Sequence, residues 1–133
     1  MRVSAKVDYG LRAMVELAAA PPRFVTSGEL AAAQEIPPKF LENILLQLRH
    51  AGLVTSQRGA EGGHQLARPA EEISIADVIR ALEGPIATVR GERPDDLEYR
   101  GAAAGLKEVW LQLRASMRGV LEDTTLADVV GRP

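Results

Sequence analysis

Four side chains suited to reading a base edge lie close together in this chain. Lys39, Glu42, Asn43 and Gln47 follow the segment Ile36-Pro37-Pro38 at spacings of three and four, which place them on one face of a helix. Lysine reaches guanine, glutamate accepts from cytosine N4, and asparagine and glutamine pair with adenine. A little further on, Arg58 and Gly59 begin the stretch RGAEGGH. A guanidinium at the mouth of such a turn suits a phosphate or a minor groove. Arg2, Ser4 and Lys6 stand at the head of the first helical pattern, where N–H groups and cations together suit a phosphate. A polar helix face is also what solvent asks of any surface helix. The reading therefore depends on the elements that carry these groups.

Those elements follow from local chemistry. Thr26 and Glu29 have the T-x-x-E spacing of a capping box, so a helix is expected to start just after Thr26. Pro37 drives Ile36 out of the helical region, and Pro38 suits the first turn of a new helix. That helix is expected over residues 38–51, with Leu41, Ile44, Leu45 and Leu48 as its buried stripe and Gly52 as its stop. Residues 53–57 are β-prone, 59–63 form a turn and 64–66 return. Helix, turn, helix and glycine-tipped hairpin in that order describe a winged helix-turn-helix. In that arrangement the start of the second helix enters the major groove.

The flanking segments complete the expected architecture, mainly α with a small β-hairpin wing. Residues 3–20 form a first helix, with Val7, Leu11, Met14, Val15 and Ala18 inward. Ser74 and Asp77 open another helix, with Ile75, Val78, Ile79 and Leu82 as its apolar side. Residues 102–123 form the longest helix, roughly 33 Å. Its stripe of Leu106, Val109, Trp110, Leu113, Met117, Val120 and Leu121 is too long for one small winged helix to bury, so these residues are expected at a homodimer interface. Thr125 and Asp128 box a short last helix. The expected division is 1–84 for the DNA-binding unit, 85–101 for a connecting or sensory loop, and 102–133 for the dimerisation helix and C-terminal helix.

Composition narrows the chemistry. The 133 residues contain no cysteine, which excludes disulfides, thiolate catalysis and cysteine-held clusters. The two histidines, His50 and His64, lie on separate elements and lack zinc-ligand spacing. The adjacent acids Glu71-Glu72, Asp95-Asp96 and Glu122-Asp123 read as caps or solvated surface, so no enzyme, metal or cofactor is expected. There is no 18-residue apolar run and no signal-peptide pattern, so a cytoplasmic chain without membrane contact is expected. The net charge is −2. Residues 1–68 hold eight Lys/Arg against six Asp/Glu, and the remainder eight against twelve, so what positive charge there is sits with the hairpin half. In the period-free loop, Arg90, Arg93 and Arg100 alternate with acids. They are candidates for an anionic ligand, or simply solvated surface.

With these motifs in order, the chain resembles the Rrf-two family of bacterial winged-helix regulators. MRVSAKVDYGLRAMVELA, IPPKFLENILLQLRHAGLVTSQRG, GGHQLAR, ISIADVIRALEG and TLADVV carry the likeness over nearly the whole length. The resemblance implies a homodimeric repressor clasped through helix 102–123 and bound to a palindromic operator. It implies DNA contacts from Lys39, Phe40, Glu42 and Asn43 and from the wing's Arg58, with Glu42 choosing between sites. Many members hold an iron–sulfur cluster on three cysteines in the loop that here spans 86–101, and those are missing. A cluster-free member of the family, its cysteine-metabolism regulator, answers to an enzyme partner, so the expected signal is a small molecule or a partner protein. The wing departs from the family at Glu61, where a small residue is usual, and at His64, where tyrosine is usual and a packing or phosphate role is expected. The negative net charge and Glu61 leave a second reading open, a winged-helix module that docks a protein and not DNA.

Overall fold

The computed structural model describes residues 2–133. The chain forms α1 (Ala5–Ala18), α2 (Ser27–Gln34), α3 (Pro38–His50), the strands β1 (Val54–Gln57) and β2 (Gly63–Leu66), then α4 (Ile75–Glu83), α5 (Leu106–Asp123) and α6 (Leu126–Val130). Short 3₁₀ turns occupy Ala70–Glu72, Pro94–Asp96 and Gly101–Ala103.

The helix starts sit where local hydrogen bonding puts them. Capping boxes are present at Thr26/Glu29, Ser74/Asp77 and Thr125/Asp128. The first helix is shorter than the expected 3–20, because Ser4 is its N-cap and accepts from Val7 N at 3.1 Å. Between α2 and α3 the backbone turns through Glu35 at φ 52°, and Ile36 N donates back to Ala31 O at 3.0 Å. Pro37 then starts α3 without a side-chain cap.

The core is one cluster. Leu41, Ile44, Leu45 and Leu48 of α3 are buried, as the stripe requires, against Val7, Met14 and Leu17 of α1, Leu30 of α2 and Val78 and Leu82 of α4. Each fully buried aliphatic side chain contributes about 1.5–3 kcal/mol. Gly10 lets α1 come close: a Cβ there would stand 2.4 Å from Leu82 Cδ1. The strands pair antiparallel, Val54 with Leu66 through Gln57 with Gly63.

Two segments differ from expectation. The last helix was grouped with the dimerisation helix, yet α6 packs into the winged-helix core. Leu126 is fully buried, Leu126 N donates to Ile73 O at 2.9 Å and Ile75 N donates to Thr124 O at 2.9 Å. Its apolar partners are distant in sequence, so local pattern could not assign it. The segment 86–101 is also more ordered than a solvated connection. Ile86, Pro94 and Leu97 are buried, and Val89 and Glu92 exchange two backbone hydrogen bonds of 2.9 Å. No helix among the described residues is long and apolar enough to cross a membrane.

Candidate nucleic-acid interface

The start of α3 is the exposed end of the helix-turn-helix. Lys39, Glu42 and Asn43 are exposed, while the stripe on the other side is buried. The first turn of α3 contains no acidic residue, so its N–H groups and positive dipole end are unopposed there. Phe40 is 44% exposed, and its ring stands edge-on to Tyr9 of α1, 5.5 Å between centroids and 81° between planes. Gln47 departs from the expected set: it is half-buried and its Oε1 is enclosed without a hydrogen-bond partner among the described residues. It lies further along α3, where the helix face turns toward the protein.

Behind α3 lies a polar clamp that spacing in the sequence does not signal. The guanidinium of Arg12 lies 4.8 Å over the Tyr9 ring, donates to Gln34 O at 2.9 Å and pairs with Asp8 at 2.8 Å. Gln34 donates to Glu16 at 2.6 Å. These contacts fasten the end of α2 to α1, and Tyr9 carries the fastening on to Phe40. The i, i+4 spacing of Asp8, Arg12 and Glu16 carries no sign of their reach to Gln34.

The hairpin stands next to this face. Arg58 and Gly59 lie in its exposed turn with Glu61, and among the described residues no carboxylate pairs with Arg58. Gly63 belongs to β2 and not to the turn, at φ 138°. Of the two roles expected for His64, packing or phosphate contact, its observed bonds are those of packing. Its Nε2 is 2.9 Å from Ser27 Oγ, its Nδ1 is 2.7 Å from Ser56 Oγ, and its backbone exchanges hydrogen bonds with Val25 at 2.7 and 2.8 Å. The imidazole thus ties β1 and β2 to the first residue of α2. Burial, and after it the positive charge of Arg49, holds its pKa below the ordinary value, so the ring is neutral at pH 7.

At the head of α1, Ser4 is corrected. Its hydroxyl caps the helix and donates to Glu83, so it is not free for a phosphate. Lys6 is half-buried. Arg2 is exposed and borders a cavity of about 700 Å³, lined also by Val3, Ile79, Glu83, Met117 and Val120. The cavity lies between the start of α1, the end of α4, residues 85–88 of the loop and the second half of α5. Arg90, Arg93 and Arg100, expected in a cleft between the loop and the long helix, do not line it. Arg90 pairs instead with Glu92 at 3.7 Å and Arg93 with Asp95 at 3.5 Å.

No residue of α5 is buried. One flank of its apolar stripe is partly covered by the chain itself: Trp110 donates to Tyr99 Oη at 2.8 Å, and Met117 and Leu121 line the cavity. Leu113 is half-buried. The rest of the stripe is open, with Leu106 41%, Val109 50% and Val120, which also borders the cavity, 66% exposed.

A helix-turn-helix with its second helix presented beside a glycine-tipped wing defines a DNA-binding transcription regulator of the winged-helix class. Comparison with known proteins agrees. Residues 3–132 match the model of the Rrf2 family, described as an iron-dependent transcriptional regulator, and the chain belongs to that family. It is 58% identical over 98% of its length to a Mycobacterium tuberculosis protein named as a candidate HTH-type transcriptional regulator, covering 82% of that relative. It is 38% identical to the regulator CymR of Bacillus subtilis, over 97% of this chain and 89% of the relative. In structure it resembles the global cysteine regulator CymR of B. subtilis, with a TM-score of 0.84, 36% identity and 98% and 96% of the two chains covered. It also resembles T. potens IscR, with a TM-score of 0.80, 36% identity and 98% and 86% covered. The family description implies iron, which this chain does not fit as a cysteine-held cluster. It has no cysteine, and among the described residues no three His, Asp or Glu side chains gather as ligands.

Proposed function

We propose that this regulator acts as a homodimeric repressor in the cytoplasm, binding a palindromic operator and answering to a small molecule or a partner protein without an iron–sulfur cluster. In this reading it binds and does not catalyse. Lys39, Glu42 and Asn43 meet base edges, Phe40 meets the groove wall with its ring braced on Tyr9, and Arg58 and the Gly59 backbone meet phosphate or the minor groove. Arg2 and Lys6 add charge at the head of α1. The single observation that carries the reading is the exposed polar start of α3, uncapped and without a first-turn acid, beside a wing whose arginine has no carboxylate partner among the described residues.

The dimer is supported by the open flank of α5. Leu106, Val109 and Val120 lie along a helix of 18 residues, about 27 Å long, that buries none of them. Two such helices crossing would cover each other and set two copies of α3 about one DNA turn apart. The test is retardation of promoter fragments at rising salt. Operator binding is expected to weaken steeply as counterions are released. A chain that retards no fragment at low salt would contradict the reading and leave protein docking in its place.

A further inference from the structure

On α5, Arg114 and Arg118 lie one turn apart on the same flank of the helix. Arg93 reaches the same place from the loop. Arg114 and Arg93 both touch one carboxylate, Asp95. Arg114 grips it with both terminal nitrogens, Nη1 to Oδ2 at 2.7 Å and Nη2 to Oδ1 at 2.9 Å, and Arg93 Nη2 stands 3.5 Å from Oδ2. Hydrogen bonding from Arg114, followed by the charges of Arg114, Arg93 and Arg118, holds the Asp95 carboxyl down at about 2. Among the described residues no other carboxylate pairs with the three guanidiniums. Arg114 is only 12% exposed, and Arg118 Nε is enclosed with no acceptor among the described residues. A buried guanidinium N–H normally has a partner, and here Arg93 and Arg114 share one anion while Arg118 pairs with none among the described residues. The geometry lacks an acceptor with negative charge.

We propose that this cradle of Arg93, Arg114 and Arg118 binds a small-molecule oxyanion, a carboxylate or a phosphate ester, which Arg118 meets and which competes with Asp95 for Arg114. Planar guanidiniums suit such oxygens because they donate in pairs. The site replaces the expected trio: Arg93 remains, and Arg90 and Arg100 give way to two arginines of α5. Asp95 is the point where the 3₁₀ turn Pro94–Asp96 is held to α5. An anion that loosens Asp95 therefore loosens the loop on the helix proposed to join the dimer. That consequence deepens the effector-responsive reading and rests on it. The binding itself does not.

Trp110, the chain's one tryptophan, lies one turn before Arg114 and is bonded to Tyr99 of the same loop, so its emission reports on the site. The experiment titrates the full chain, without DNA and at constant ionic strength, with inorganic phosphate, sulfate and succinate. A saturable change is expected with at least one of them. Arg118→Gln removes a charge-assisted hydrogen bond and should weaken the response about tenfold or more. Asp95→Asn removes the competing carboxylate and should strengthen it, and circular dichroism verifies that both variants are folded. No saturable response in either the wild type or Asp95→Asn overturns the proposal, as does an equal response in Arg118→Gln. A change of association state in Arg118→Gln with no anion response also overturns it, and assigns the missing acceptor to a second copy of the chain. Because the titration contains no DNA, its failure leaves operator binding untouched, and failure of operator binding leaves the titration intact.

Discussion

Where the wing meets the segment leading into α2 the closest approach is made by a glycine, Gly63, and its substitution has a calculable effect. A Cβ on Gly63 would lie 2.5 Å from Val25 O and 2.7 Å from the Val25 carbonyl carbon, both backbone atoms that no rotamer change can move. The wing must therefore back away from the segment leading into α2. What is lost is the pair of hydrogen bonds between Val25 and His64, at 2.8 and 2.7 Å, each about 1 kcal/mol net. A side chain at φ 138° adds about 1–3 kcal/mol. Gly63→Ala should thus cost about 3–5 kcal/mol, a large part of the stability of a small domain. Gly59→Ala is the control: its φ is 109°, but open space surrounds it, so only the conformational part, about 1–3 kcal/mol, is expected. Urea unfolding gives both numbers, and fluorescence anisotropy with an operator duplex gives the effect on binding while each variant is still folded. Equal destabilisation by the two substitutions would refute the docking argument, and so would full DNA affinity in Gly63→Ala.

Further predictions concern recognition, assembly and pH. Glu42→Ala should blur preference at one base pair by about 1–3 kcal/mol, measured over a set of single-base operator variants, and equal loss on every duplex would remove its role. Arg58→Ala should weaken all duplexes alike and reduce the salt slope by about one, read from affinities at several salt concentrations. Glutamates at Val109 and Val120 together should leave single chains in sedimentation velocity, because each valine contributes about 1.5–3 kcal/mol when covered; a double variant that sediments like the wild type would place the interface elsewhere. His64 is held neutral in the fold, with its pKa below 6.5. Its contribution to stability should be complete above that pH and fall as pH drops through 6.5 toward the lower folded value, since the unfolded chain then takes up more protons. His64→Gln should flatten that part of the urea-midpoint profile.

The features visible in the sequence are those set by near neighbours. Three capping boxes, the Pro37-Pro38 junction and the α3 stripe all depend on contacts within a few residues, and each is present in the fold. The exposed trio Lys39, Glu42 and Asn43 followed directly from that stripe. What could not be read depends on partners far along the chain. Ser4 looked like a phosphate ligand because its bond to Glu83 spans 79 positions. The sequence leaves His64 between packing and phosphate because Ser27 and Ser56 approach it only once the hairpin has docked. The Tyr9–Phe40 contact and the reach of Arg12 to Gln34 cross from α1 to the two helices of the recognition motif, with no signal in spacing. The loop arginines are neighbours only in sequence, whereas the fold brings Arg93 to the carboxylate that Arg114 holds. α6 is the same lesson on a larger scale: its capping box was legible, and its place beside α1 was not.

The most direct test of the account is selection of bound duplexes from a random pool by the full chain. The account predicts enrichment of two inverted half-sites with centres about one helical turn, roughly 10 base pairs, apart or a multiple of that, and loss of that symmetry in the Val109→Glu, Val120→Glu variant. An enriched pool with a single unpaired site, or no enrichment at low salt, would contradict it.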